Sequence, residues 1–319
     1  MILPVPSGTR DVLPDEMREL RAIVEAMREV FEGAGYGEVM TPALEYEDVL
    51  GRGLSGARPA YRVVDDHGDV LVLRSDMTVP IARVAATRYA ASAPPLRFCY
   101  VAHAYRQVRP HRGMQREHLQ AGIELLGAPA PEGTAEALTV LCAALDASGL
   151  RDYRIGLGDA SVFPRLLRAL DVPAPAGDRL LRELSTHDLV GLERELAAVG
   201  LDDGQGEELL RIAGLRGGAE VLAVAPGPLA DAVADLRALL ALLEPGVAER
   251  VIVDLGLTRE LGYYTGAVFE VYDPALGAPL GGGGRYDDLL GRFGRELPAV
   301  GFALGVDRLH QALTGEEGR

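Results

Sequence analysis

Four arginines fall within eleven residues in the stretch Arg106-Gln-Val-Arg109-Pro-His-Arg112-Gly-Met-Gln-Arg116. Arginine presents a planar fork of N–H donors that captures a carboxylate or a phosphate in pairs. A run of this kind is also what the solvated tip of a hairpin looks like. Both readings stand on these residues alone, although Arg106 falls at the end of an apolar stretch that would hold it rigidly. A second piece is Arg259 followed by Gly262-Tyr-Tyr-Thr-Gly-Ala-Val-Phe-Glu270. A tyrosine pair in a strand reads by itself as packing. The third, Gly281-Gly-Gly-Gly-Arg-Tyr286-Asp287, lacks the Gly-Lys-Ser/Thr that would make it a phosphate loop. The fourth is Gly301-Phe-Ala-Leu-Gly-Val-Asp-Arg308. Singly, each piece is weak.

The elements around these pieces follow from hydrophobic periodicity. Met17, Leu20, Ile23, Val24, Met27, Val30 and Phe31 recur at helical spacing after Pro14, and glycines at 33, 35 and 37 end that helix. A short strand into Thr41-Pro42 follows. Residues 61–64 and 70–74 flank Asp66-His67-Gly68-Asp69 as a hairpin. Residues 76–91 read as a helix. Residues 96–104 and 117–126 read as buried antiparallel strands joined by the arginine-rich loop. A helix over 134–147 and a strand over 153–157 come next. From 163 to 249 the chain is almost all Leu, Ala, Glu and Arg at helical spacing, broken by Pro173-Ala-Pro175, Gly204–Gly206 and Pro226-Gly-Pro228. That stretch reads as an all-helical insertion. Strands return at 251–255 and 267–272, then the glycine run at 281–284, a helix, a strand over 299–304 and a final helix to 313. Hairpins with separated helices predict an α+β fold on an antiparallel sheet.

The bulk numbers exclude several classes. Composition is globular, at 48% hydrophobic and 25% charged residues. No apolar run approaches the roughly 20 residues that span a bilayer, and the first residues do not form a signal peptide, so the cytoplasm is the expected location. Cys99 and Cys142 lack the spacing of a disulfide framework or a metal site. A net charge of −15, from 32 basic against 47 acidic residues, would repel a polyanion and argues against nucleic acid.

Taken together and in order, the motifs are specific. Ser7-Gly-Thr-Arg-Asp-Val-Leu-Pro14, Tyr36-Gly through Thr41-Pro42, Leu73-Arg-Ser-Asp-Met-Thr78, the Arg106 loop, Gly262-Tyr-Tyr-Thr-Gly266, Gly283-Gly-Arg-Tyr-Asp287 and the Arg308 segment resemble the catalytic core of histidyl-tRNA synthetase. The resemblance implies a class II synthetase-like antiparallel sheet flanked by helices, built from residues 1–162 and 250–319, with 163–249 as the helical insertion. It also implies a histidine pocket. By position, Asp76 and Thr78 match the residues that hold the α-amino group, with Asp76 where the family usually has Glu. Gln120 and Glu124 match further ligand contacts. Arg259 matches the arginine beside the carboxylate, with Arg106 at the strand end in the same group. Tyr264 and Tyr286, with Tyr263 beside them, match the tyrosines near the imidazole. The chemistry agrees: an ammonium needs acids, a carboxylate a guanidinium, and a ring N–H an acceptor such as Glu124. Glu124 could be an exposed strand residue, but inside the apolar run 121–126 an unpartnered carboxylate would be costly.

The nucleotide half departs from the pattern. Val108 stands where the family reads adenine with a glutamate, Met114 where it has an arginine, and Gly262 where an aspartate precedes Tyr-Tyr. Arg308 and Arg116 would be a residual nucleotide site. Lost charged donors near phosphates remove several kcal/mol of transition-state stabilisation, so adenylation is expected to collapse. The chain also ends soon after the Arg308 helix, without the expected anticodon-binding domain. These features resemble the regulatory subunits of ATP phosphoribosyltransferase, from the first step of histidine biosynthesis. The resemblance implies no catalysis, cofactor or metal of its own, and partnership with a short catalytic phosphoribosyltransferase chain. It further implies feedback by L-histidine, self-association through the core, and no tRNA or membrane partner. The rival is a histidine-activating enzyme, either a truncated synthetase or an adenylating ligase, which Arg106, Arg259 and Arg308 would serve. A histidine-binding protein with no enzyme partner is a third reading.

Overall fold

A computed structural model describes residues 4–53, 60–107, 115–186, 188–259 and 262–315. Helix α1 (Pro14–Gly33) opens with proline in its first turn and Asp15 and Glu16 at its positive end. Its apolar stripe buries Leu20, Ile23, Met27 and Phe31. Strand β1 (Gly37–Glu38) follows Gly35, which sits at φ +84. The chain then makes a small sheet from β2 (Leu44–Tyr46), β3 (Arg62–Val64) and β4 (Val70–Leu73), with α2 (Glu47–Gly53) between its first two strands. The pairing order is β2-β4-β3, all antiparallel. The hairpin expected around Asp66-His67-Gly68-Asp69 is the β3–β4 connection.

Helix α3 (Thr78–Thr87) leads into the long strands β5 (Leu96–Tyr105) and β6 (Glu117–Leu126), which pair along their whole length. After α4 (Glu132–Ala147) and β7 (Arg154–Asp159) come α5 (Val162–Ala169), α6 (Ala174–Ser185), α7 (Leu189–Val199) and α8 (Asp203–Ala213). The two-residue strand β8 (Arg216–Gly217), then α9 (Ala230–Leu242) and α10 (Pro245–Ala248), lead into β9 (Val251–Asp254). This stretch is helical as expected except for β8, which pairs antiparallel with β9 and is too short to carry a periodic signature. Strands β10 (Ala267–Tyr272), β11 (Gly281–Arg285) and β12 (Ala299–Gly305) and helix α11 (Val306–Thr314) complete the described chain.

Among the described residues the main sheet has nine strands in the order β1-β5-β6-β12-β11-β10-β7-β9-β8. The run from β5 to β7 is antiparallel, while β1–β5 and β7–β9 are parallel, so the sheet is mixed at its margins. A parallel return requires a crossover, and the helices between β7 and β9 supply it. The sequence offered no strand at 281–284, because glycine brings no side chain to pack on a pleated surface. The structure makes that run the interior strand β11, for a reason that lies in the site. Strand alternation gives the sheet two different faces. Cys99, Ala121, Ile123 and Leu125 point to the side covered by α1 and α4, within the main hydrophobic cluster. Leu180, Leu192, Ile212 and Leu236 of the helical stretch belong to that same cluster. On the opposite side, Met77 and Ile81 near α3 meet Phe98, Tyr100, Tyr263 and Tyr286. Both cysteines are buried and free. No described helix is long and apolar enough to cross a membrane.

Candidate functional site

The pairing registers place one row of residues across the sheet as Tyr100, Gly122, Ala303, Gly282 and Glu270. The next row reads Phe98, Glu124, Gly301, Gly284 and Val268. The middle of both rows is almost without side chains, and there the sheet floors a cavity of about 260 Å³. The glycines are needed by their neighbours. A Cβ at 282 would overlap the Arg259 guanidinium, one at 284 would press on the Tyr264 ring, and one at 301 would overlap the Glu124 carboxylate.

At one end of the cavity stand Asp76 and Thr78. Asp76 is 7% exposed, and its Oδ1 accepts from the Val79 N–H at 3.0 Å, which fixes it against the first turn of α3. The Thr78 hydroxyl donates to Glu124 Oε1 at 2.7 Å, and the Tyr286 hydroxyl donates to Oε2. Glu124 itself is 1% exposed and lies just behind the lining that Thr78, Tyr286 and Gly301 provide. The sequence reading placed Glu124 facing the ligand as an acceptor. In the structure both its oxygens are taken by hydroxyls, which is how a fully enclosed carboxyl meets its hydrogen-bond demand. Burial pushes its pKa up to about 8, against the pull of the Tyr286 and Thr78 hydrogen bonds and with a further push from Asp76.

Arg259 occupies the other side. Its Nη1 donates to Glu270 Oε1 at 2.9 Å, and the Tyr272 hydroxyl holds the second Glu270 oxygen at 2.7 Å. The guanidinium lies 5.9 Å from the Tyr264 ring centroid. Burial works against its charge, but Tyr264 and Glu270 outweigh that and hold its pKa above the ordinary value. Among the described residues, buried Arg259 Nε and the neighbouring Thr258 Oγ1 find no hydrogen-bond partner. Between the two ends runs an aromatic wall. The Tyr263 ring lies 4.9 Å from that of Tyr264, tilted by 55°, and meets Tyr286 edge-on at 5.6 Å. Gly262 precedes the pair, and its φ of +66 is a conformation that favours glycine.

Gln120, Arg106 and Arg308 line the same cavity further out, so nine of the expected residues converge on it, with Glu124 directly behind. Around Arg106 and Arg308 the cavity is cationic. Burial, then these two guanidiniums, push the His118 imidazole down to about 4, so it is neutral at physiological pH. Burial likewise lowers the pKa of Arg308. Arg116 is not brought to the cavity. Its Nε donates to the Ser7 carbonyl at 2.5 Å and its Nη1 to the Tyr61 hydroxyl, so it ties the first turn of the chain to the small sheet. Val108 and Met114 lie outside the described residues. No group of three or more described His, Cys, Asp or Glu side chains could hold a metal ion.

The family model for histidyl-tRNA synthetase matches residues 8–309. An ATP phosphoribosyltransferase regulatory subunit of Symbiobacterium thermophilum is 44% identical over 316 residues, covering 97% of this chain and 79% of the relative. One from Desulforamulus reducens is 39% identical over 317 residues, covering 98% and 79%. The chain belongs to the family of ATP phosphoribosyltransferase regulatory subunits, paralogues of histidyl-tRNA synthetase. A solved structure from Bacillus halodurans, described as an ATP phosphoribosyltransferase regulatory subunit/histidyl-tRNA synthetase, superposes on this regulatory-subunit fold with a TM-score of 0.90. It is 33% identical and covers 98% of this chain and 84% of its own. The histidyl-tRNA synthetase of Nostoc sp. PCC 7120 shares the fold at a TM-score of 0.81 and 23% identity.

Sequence reasoning missed Tyr100, Thr258, Glu270, Gly301 and His118 as parts of the regulatory-subunit cavity. A signal existed for two of them. Glu270 is an acid inside an apolar alternating strand, and Gly301 is a glycine inside another, which marks close approach. Thr258, Tyr100 and His118 carry no such mark.

Proposed function

We propose that this chain is a non-catalytic regulatory subunit that binds L-histidine in the cavity described above and supports the activity and feedback inhibition of a short catalytic ATP phosphoribosyltransferase chain. One observation carries the reading. The cavity is complementary to a zwitterion with a polar ring: an acid and a hydroxyl at one end (Asp76, Thr78), a guanidinium at the other (Arg259), and tyrosines between. The names of the relatives support the partner and the pathway. Within this reading, residues 1–162 and 250–319 form the synthetase-like core. The inserted stretch 163–249 reaches the cavity rim through Ser185 at the end of α6. Histidine would act by binding one assembly state better than another. A coupling of about 1–3 kcal/mol suffices, and the partner must then alter histidine affinity by the same factor.

Titration calorimetry with L-histidine tests the pocket, with Asp76→Asn as the control that removes the acid. Binding by wild type and loss of about tenfold or more in affinity in the variant are expected; equal affinity places histidine elsewhere. Co-purification with a short phosphoribosyltransferase chain tests the partner. A histidine-activating enzyme is the second reading, favoured by Arg106 and Arg308 in the cationic part of the cavity. Histidine-dependent ATP–pyrophosphate exchange would establish it and overturn the regulatory reading.

A further inference from the structure

Glu124 is enclosed yet sits one hydrogen bond from the ligand space, and both bonds pass through hydroxyls that line it. A hydroxyl has one proton to give and lone pairs to offer. When Glu124 is a carboxylate, Thr78 and Tyr286 both turn their protons onto it and present only lone pairs to the cavity. When Glu124 is a neutral acid, its own proton goes to one of those hydroxyl oxygens, and that hydroxyl's proton is turned towards the cavity. The charge of a residue behind the wall therefore decides whether the wall offers two acceptors or one acceptor and one donor.

The surroundings of Glu124 favour its neutral form. The titratable groups that face Glu124 are Asp76 ahead of α3, Tyr100 from β5, Tyr263 and Tyr264 from the turn before β10, and Tyr286 after β11. None of these is a cation, and among the described residues Glu124 forms no ion pair. Enclosure is the largest influence and raises its pKa to about 8. An amino acid such as histidine brings donors to this end: an ammonium with no lone pair, and a ring N–H. Two hydroxyls that both offer lone pairs suit such a ligand best, so it is bound preferentially by the carboxylate form.

We propose that Glu124 is a positioning residue whose ionisation is coupled to ligand entry: seating a donor-bearing ligand against Thr78 and Tyr286 converts the Glu124 acid to a carboxylate and expels its proton to solvent. The step is balanced, since the O–H bond of Glu124 breaks, the electron pair stays on the carboxylate, and the proton passes to buffer. This rests on the histidine reading of the cavity and names how that site responds to pH.

The test is proton counting by calorimetry, titrating L-histidine into the full chain at pH 7.0 in buffers of different ionisation enthalpy. Close to one proton released per site is expected, because about nine-tenths of a group titrating near 8 is protonated at pH 7. The free imidazole contributes about a quarter of a proton at most. Affinity should rise about eightfold from pH 7.0 to 8.5. Glu124→Gln should abolish the excess release, and if that variant does not fold, the wild-type count and pH profile decide alone. Binding with a quarter proton or less released, at an affinity flat in pH, overturns the coupling. Absence of histidine binding at every pH overturns instead the reading on which it rests.

Discussion

Gly301 on β12 stands directly opposite Glu124 on β6, and the space a side chain at 301 would fill is occupied by the Glu124 carboxylate. The carboxylate is thus held by absence on one side and by the Thr78 and Tyr286 hydroxyls on the other. Gly301→Ala should destabilise the fold by about 1–3 kcal/mol, since the added methyl also meets the Ile123 carbonyl at 2.5 Å. It should weaken histidine binding more than its stability loss explains. Urea melts and calorimetry on the same preparation check both. A neutral effect on each would mean that Glu124 has another place to go.

The raised pKa of Glu124 makes a prediction about stability without ligand. A carboxyl titrating near 8 in the folded chain and near 4.3 unfolded keeps its proton only in the folded state between those values. The folded state binds more protons there, so this group's contribution falls as pH rises from about 4.5 to about 8 and is constant above. Wild type should lose stability relative to Glu124→Gln across that window, by an amount on the order of a few kcal/mol. Denaturant midpoints at pH 5 and pH 8 read it, and a parallel pH dependence in the two proteins would count against it.

Arg259 and Glu270 separate support from recognition. Arg259→Met removes the guanidinium and leaves a partly buried Glu270 with, among the described residues, only the Tyr272 hydroxyl, which should cost about 2–4 kcal/mol of stability and abolish histidine binding. Adding Glu270→Gln removes the stranded charge. Stability should recover in the double variant while binding stays lost. Recovery of binding would show that Arg259 does not meet the ligand.

Arg116 provides the opposite control. Its contacts are with Ser7 and Tyr61, away from the cavity. Arg116→Ala should lower stability by about 0.5–1.5 kcal/mol in a thermal or denaturant melt and leave histidine affinity unchanged. A fall in affinity would bring Arg116 into the binding machinery.

Motif order was enough to anticipate the fold class and nine of the residues that line the cavity. Asp76, Thr78, Gln120, Tyr264 and Tyr286 lie scattered between positions 76 and 286, yet each has a place relative to a recognisable neighbour, and the sheet brings them together. The periodic helix 14–33 and the long strands 96–105 and 117–126 were equally legible, because their buried stripes repeat at 3.6 or 2 residues. The glycine strand was not. Gly281–Gly284 has no side chains to show a period, and its place between β10 and β12 depends on partners that lie before and after it in the chain.

Residue types and their spacing by themselves determined which chemistry is present: an acid and a hydroxyl, a guanidinium, and a set of tyrosines on an α+β frame. Only the tertiary structure decided how each is used. It placed Glu124 behind the wall rather than on it, gave Arg259 the Glu270 carboxylate as support, and turned Arg116 away to Ser7 and Tyr61. The reason is physical. Whether a carboxylate faces ligand, hydroxyl or guanidinium depends on cross-strand register and on which neighbours lack a side chain, and both are properties of residues distant in the chain.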